Sequence, residues 1–138
     1  MTLDNFGTVK LLTKGQDYYW FGRVKNISPD NEVELTINVD GKDQPLTNQA
    51  KLISDLADNY DRLMTMLYDY IQGSFATTGD RKTIEDLKKM YFLTAVELKK
   101  DNKDWWIVLE PMFDVETIYN HFLRFTVRDM KITWSNLG

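Results

Sequence analysis

The sequence contains no cysteine. That absence excludes disulfides, thiolate zinc sites, iron–sulfur ligation and cysteine nucleophiles. His121 is the single histidine, so a histidine-rich metal site within one chain is excluded too. The seven glycines are dispersed. They form neither a Gly-x-Gly-x-x-Gly nor a Gly-x-x-x-x-Gly-Lys-[Ser/Thr] pattern, so no phosphate cradle is signalled. No serine sits in a Gly-x-Ser-x-Gly elbow. No apolar run approaches the ~18 residues of a membrane-spanning helix. The opening Met1-Thr2-Leu3-Asp4-Asn5 lacks the basic and apolar regions of a secretion signal. A cytoplasmic location is the expectation.

What is present is one domain's worth of chain. The 138 residues, 43% of them hydrophobic and 13% aromatic, supply ample apolar mass for a single core spanning 1–138. Lys and Arg number 17 against 21 Asp and Glu, for a net charge of -4. That balance argues against nucleic acid as the main ligand, because phosphate binding needs clustered cations. A basic protein is the complementary partner.

The first 40 residues read as strands. Phe6 to Thr13 is short and apolar-rich, and Lys14-Gly15-Gln16-Asp17 is a turn. Asp17 to Ile27 runs through Tyr18, Tyr19, Trp20 and Phe21, all strand-favouring types. Glu32 to Val39 alternates strictly. Val33, Leu35, Ile37 and Val39 take one face, and Glu32, Glu34, Thr36 and Asn38 the other. A period of two marks a half-buried strand. Thr47 then reads as an N-cap, and Leu52, Ile53, Leu56, Ala57, Tyr60, Leu63, Met64, Leu67, Tyr68 and Ile71 follow at helical spacing. They predict one long helix from about Asn48 to Ile71, with Asp55, Asp58, Arg62, Thr65 and Asp69 on its outer side. Thr77-Thr78-Gly79-Asp80 reads as a loop. Thr83 with Asp86 forms a capping-box pattern that opens a short helix to Met90. Tyr91–Lys99 and Asp104–Met112 flank a hairpin loop, and Phe122–Arg128 and Lys131–Trp134 flank another at Asp129-Met130. The expected class is α+β. The expected architecture is an antiparallel sheet of six to seven strands with one long helix on one face and a short second helix, in the order βββ-α-α-βββ(β).

Two constellations stand out. Glu110, Asp114 and Glu116 lie close in sequence to His121, a set suited to acid–base work or a hard metal if the side chains converged. The commoner outcome for acids at this density is a solvated loop. Aromatic density is the more informative feature. Tyr18, Tyr19, Trp20 and Phe21 place two rings on each face of one strand, and Trp105 and Trp106 do likewise. One helical layer covers one sheet face, so rings on the second face need another cover: a terminal segment, a second subunit or a ligand.

The layout carries a resemblance. Phe6-Gly7, then Tyr19-Trp20-Phe21-Gly22-Arg23-Val24, the alternating strand, the Thr47-led helix with Gln49 and Leu52, and a late hairpin running into Asp114-Val115-Glu116 follow one another. This resembles the small bacterial domains of unknown function of the DUF2004 and DUF6985 type. Some of these look like immunity proteins encoded beside toxins. Where such domains often carry a Trp-Asp-x-Glu-His-Gly-like segment, this chain has Phe113 for the Trp and Thr117-Ile118 for the His-Gly. The resemblance implies no catalytic residues, and it adds to what the acidity, the surplus aromatics and the lack of an assembled catalytic constellation already suggest; no cofactor is expected. The resulting expectation is a non-enzymatic protein-binding module, with Asp55, Asp58, Asp69, Tyr18, Trp20, Trp105 and Trp106 as partner-binding residues. A small carboxylate- or metal-dependent hydrolase and a structural homodimer are the alternatives.

Overall fold

A computed structural model of the chain describes residues 1–74 and 82–137. The Thr77–Asp80 loop expectation falls outside them. The fold is α+β. A seven-stranded sheet has the order β3 (Lys10–Lys14), β4 (Asp17–Val24), β5 (Val33–Val39), β6 (Tyr91–Leu98), β7 (Asp104–Pro111), β8 (Leu123–Arg128) and β9 (Lys131–Ser135). Every pairing is antiparallel except β5–β6, which is parallel. A parallel neighbour demands a crossover, and the three helices described between β5 and β6 supply it. Two two-residue strands, β1 (Thr2–Leu3) and β2 (Gly7–Thr8), form a separate N-terminal hairpin where the sequence suggested a single strand from Phe6.

The expected long helix is two. α1 (Thr47–Asp58) and α2 (Tyr60–Ser74) meet at Asn59, whose backbone leaves helical values at φ -102°, ψ 19°. The Asn59 side chain donates to the Asp55 carbonyl at 2.8 Å, a local bond that competes with helix propagation. Because the interruption is one residue long, the apolar stripe keeps its phase across it. Ile53, Leu56, Leu63, Leu67 and Ile71 are all buried. Thr47 is not the cap. It is the first helical residue, and Leu46 precedes it without a side-chain cap bond. The short third helix, α3 (Ile84–Met90), has the capping box the sequence predicts: Thr83 accepts from the Asp86 N–H, and the Asp86 carboxylate accepts from the Thr83 N–H.

Along β5 to β8 every fully buried residue lies on the helix-covered face, and the alternate residues are half-buried or exposed. Leu35, Val96, Ile107 and Phe125 align in one row across four strands. β6 keeps this face only through a bulge at Thr94. Leu93 and Val96 are three apart, and the register shift between Leu93 and Ala95 returns Val96 and Leu98 to the core. Over β4 the core-side cover is the N-terminal hairpin. Lys25 N–H donates to the Phe6 carbonyl at 2.9 Å, and the backbone at Thr8–Val9 presses against Gly22. A Cβ on Gly22 would collide with the Thr8 carbonyl oxygen, so the close approach requires glycine. In the last hairpin Asp129 (φ 51°) and Met130 (φ 58°) are both left-handed, as a two-residue turn matched to strand twist demands. No described helix is long and apolar enough to cross a membrane.

Candidate functional site

The residues singled out from sequence separate into three places. Asp55 and Asp58 lie on α1 and Asp69 on α2, all exposed. Asp55 is tied to Lys51 at 3.2 Å. Asp58 and Asp69, together with Asp61 at the start of α2, form no ion pair among the described residues. Arg62 lies beside them, also exposed.

The rings divide by face. Tyr18 and Trp20 pair with Val39 and Ile37 on the helix side and pack partly buried against the core. Trp105 is on that side too, only 9% exposed, so its ring is committed to intramolecular packing. It does not offer the free surface that a partner-binding ring needs, because its register opposite Leu98 and Val127 points it under the helices. Trp106 points the other way. It is half-buried on the open face, 5.9 Å from Trp134 ring to ring, with the Lys99 ammonium 4.9 Å from its ring. One row across the whole sheet, Lys10–Phe21–Thr36–Glu97–Trp106–Thr126–Trp134, carries this face. Charges there largely neutralise one another: Arg23 meets Glu32 and Glu34, Lys99 meets Glu97, and Arg128 meets Asp101 and Asp104.

The four residues Glu110, Asp114, Glu116 and His121 are not drawn into a metal-binding group. Among the described residues no three such side chains are placed to hold an ion. Glu110 accepts from Thr94 Oγ1 on the open face at 3.2 Å, whereas Asp114 and Glu116 are exposed in the connection after β7. His121 is exposed, with Nδ1 2.9 Å from the Phe122 carbonyl. That connection is anchored instead by Tyr91. Its buried hydroxyl donates to the Tyr119 carbonyl and accepts from the Tyr119 N–H, both at 2.8 Å.

A concavity that the sequence did not point to lies between α2, α3 and the end of the sheet, with a volume of about 710 Å³. Tyr60, Met64 and Tyr68, one face of α2 at four-residue spacing, form one wall. Tyr91, Phe92 and Met112 form another. Asp30 from the β4–β5 connection, Asp61 and Lys88 bring charge. The Tyr68 hydroxyl donates to the Tyr91 carbonyl at 3.3 Å, and the Tyr60 hydroxyl lies 3.3 Å from Ser28 Oγ. Burial raises the Tyr60 phenol above its ordinary value. The Ser28 hydrogen bond and the Lys88 charge oppose that rise, and the Asp30 and Asp61 charges add to it. Burial raises Tyr68 further, again with a contribution from Asp30. Asp30 is the one rim charge common to both phenols, which lie more than one helical turn apart on α2's inner face. From sequence, Tyr60, Met64 and Tyr68 belong to the helix's apolar stripe. The signal in that stripe was its polar-tipped rings, in a position otherwise filled by Leu and Ile.

Comparisons with protein-family models, with curated proteins and with solved structures find no match to this chain.

Proposed function

We propose that the chain is a protein-binding module that recognises a basic protein through the outer side of α1 and α2. The observation that supports this is a set of exposed carboxylates on α1 and α2 that no cation of the described residues pairs. On the sheet, Glu32, Glu34, Glu97 and Asp104 each meet an arginine or lysine of the same chain. On the helices, Asp58, Asp61 and Asp69 are exposed without an ion pair among the described residues. Uncompensated carboxylates along one face steer a basic partner and set its orientation. The resemblance to immunity-like bacterial domains extends the proposal: the partner is a toxin, neutralised by covering its active site. The test is capture from the native organism with the tagged chain, beside the charge-reversed variant Asp58→Lys/Asp61→Lys/Asp69→Lys. The expected result is a stoichiometric basic protein, retained by the native chain, lost by the variant, and inhibited on mixing. Equal retention by both chains refutes the proposal.

The second reading is a homodimer joined through the open sheet face. Its support is the exposed Leu12, the 49%-exposed Trp134 and the half-buried Tyr19, Phe21 and Trp106 on one surface. Sedimentation at micromolar concentration, with Trp134→Glu as the disrupting variant, tests it. A monomer mass removes this reading.

A further inference from the structure

We infer that the concavity between α2, α3 and the sheet end is a binding site for an organic cation, an ammonium or guanidinium group carried on an apolar stem. Size is the first argument. About 710 Å³ falls within the range of small-ligand pockets and far exceeds what one water or inorganic ion needs. The second argument is wall chemistry. Half-buried Met112 and Phe92 present thioether and ring surface to a stem, with buried Met64 and Tyr68 as the floor beneath it, and the half-buried Tyr60 ring suits a cationic head.

Charge decides the sign of the ligand. The cavity has three charged groups, Asp30, Asp61 and Lys88. Lys88 is the one opposing charge, shared with the exposed Glu85 carboxylate 3.2 Å away, so the two carboxylates outnumber it. Asp30 and Asp61 have no ion pair among the described residues. Asp30 acts on both the Tyr60 and Tyr68 phenols, and Asp61 on Tyr60. An anionic ligand would face two uncompensated carboxylates. A neutral one would leave them as they are. A cation gains from both carboxylates, against the single ammonium of Lys88 that an anion could use. This site shares Asp61 with the proposed docking surface but otherwise draws on Asp30, the inner face of α2 and the sheet end, so Asp30→Asn separates the two readings.

The same chemistry has two sources, a free amine or the basic side chain of a polypeptide. The probes are 2-phenylethylammonium, capped lysine amide and capped arginine amide, followed through the methyl signals of Met64 and Met112 in the full chain. 2-Phenylethanol and 3-phenylpropanoate are the neutral and anionic controls. The expected result is saturable shifts at those two methyls, weakened about fivefold by Asp30→Asn and by Asp61→Asn. Lys88→Gln is expected to tighten binding, which separates lost charge from lost folding. Stronger binding of 2-phenylethylammonium assigns the site to free amines. Stronger binding of the capped amides assigns it to a partner's side chain. Binding of the alcohol within twofold of the ammonium, tighter binding of the carboxylate, or shifts elsewhere in the chain overturn the inference. Failure here, with the protein capture intact, leaves the docking proposal standing.

Discussion

Removing one oxygen atom, in Tyr91→Phe, tests how the connection from β7 to β8 is held. The Tyr91 ring is 1% exposed at the base of the core, and its hydroxyl makes two 2.8 Å bonds to the backbone of Tyr119. The two bonds are not equivalent on deletion. The Tyr119 carbonyl keeps a donor, Thr117 Oγ1 at 2.9 Å. The Tyr119 N–H loses its 2.8 Å acceptor in a half-buried setting. One net hydrogen bond is worth about 1 kcal/mol, and stranding a donor costs about 1–3 kcal/mol, so the variant should lose about 2 kcal/mol. For a domain of this size that is a fall in Tm of about 7 °C. Urea unfolding measures the loss, and amide hydrogen exchange locates it. Exchange at Tyr119 should accelerate well before exchange in β7 or β8. A variant within about 0.5 kcal/mol of the native chain refutes the latch. So does an equal loss with Tyr119 still protected, because the hydroxyl would then be acting on the core and not on the connection.

The buried phenols also set the alkaline limit of stability. Tyr60, Tyr68 and Tyr91 all titrate above their ordinary value of 10.0 in the folded chain, chiefly through burial. Their contribution is therefore complete below pH 10 and is lost as pH rises through the folded-state values. Tm should be level from about pH 8 to 9.5 and fall beyond about 10, less steeply in Tyr68→Phe; a decline unaltered by that variant refutes the assignment. Gly22→Ala should cost about 1–3 kcal/mol in urea unfolding, because the new methyl meets the Thr8 carbonyl, and a neutral result would show that the N-terminal hairpin yields. Thr83→Ala removes the acceptor for the Asp86 N–H and should cost about 1 kcal/mol, with Thr83→Ser restoring most of it.

Local signals in the sequence translated into structure where short-range physics decides. The alternation of β5, the Thr83–Asp86 cap and the hairpin turns at residues 15–16 and 129–130 all depend on neighbours within a few positions. The two-faced array Tyr18–Phe21 followed from strand geometry alone. The break at Asn59 was hidden because a one-residue interruption does not disturb helical periodicity, leaving Tyr60 and Leu63 in step with Ile53 and Leu56. The Thr94 bulge was hidden for the opposite reason. It changes phase in a strand whose apolar residues are dense enough to fit either phase. The cavity was illegible because its rim joins Asp30, Asp61 and Lys88, residues that only the crossover from β5 to β6 brings together. The burial of Trp105 against the exposure of Trp106 needed only the register of β7, but which of the two faces the helices would cover was a tertiary choice.

The sheet is not closed, and its first and last strands, β3 and β9, leave a row of backbone donors and acceptors at each border. Such borders are templates for adding the strand of another molecule. Here β3 reads Lys-Leu-Leu-Thr-Lys, with an ammonium at each end of the apolar pair, Lys10 and Lys14 both exposed. β9 begins at Lys131 and is thrown out of register near Thr133. Charge at one border and irregular geometry at the other act as gatekeepers against filament growth.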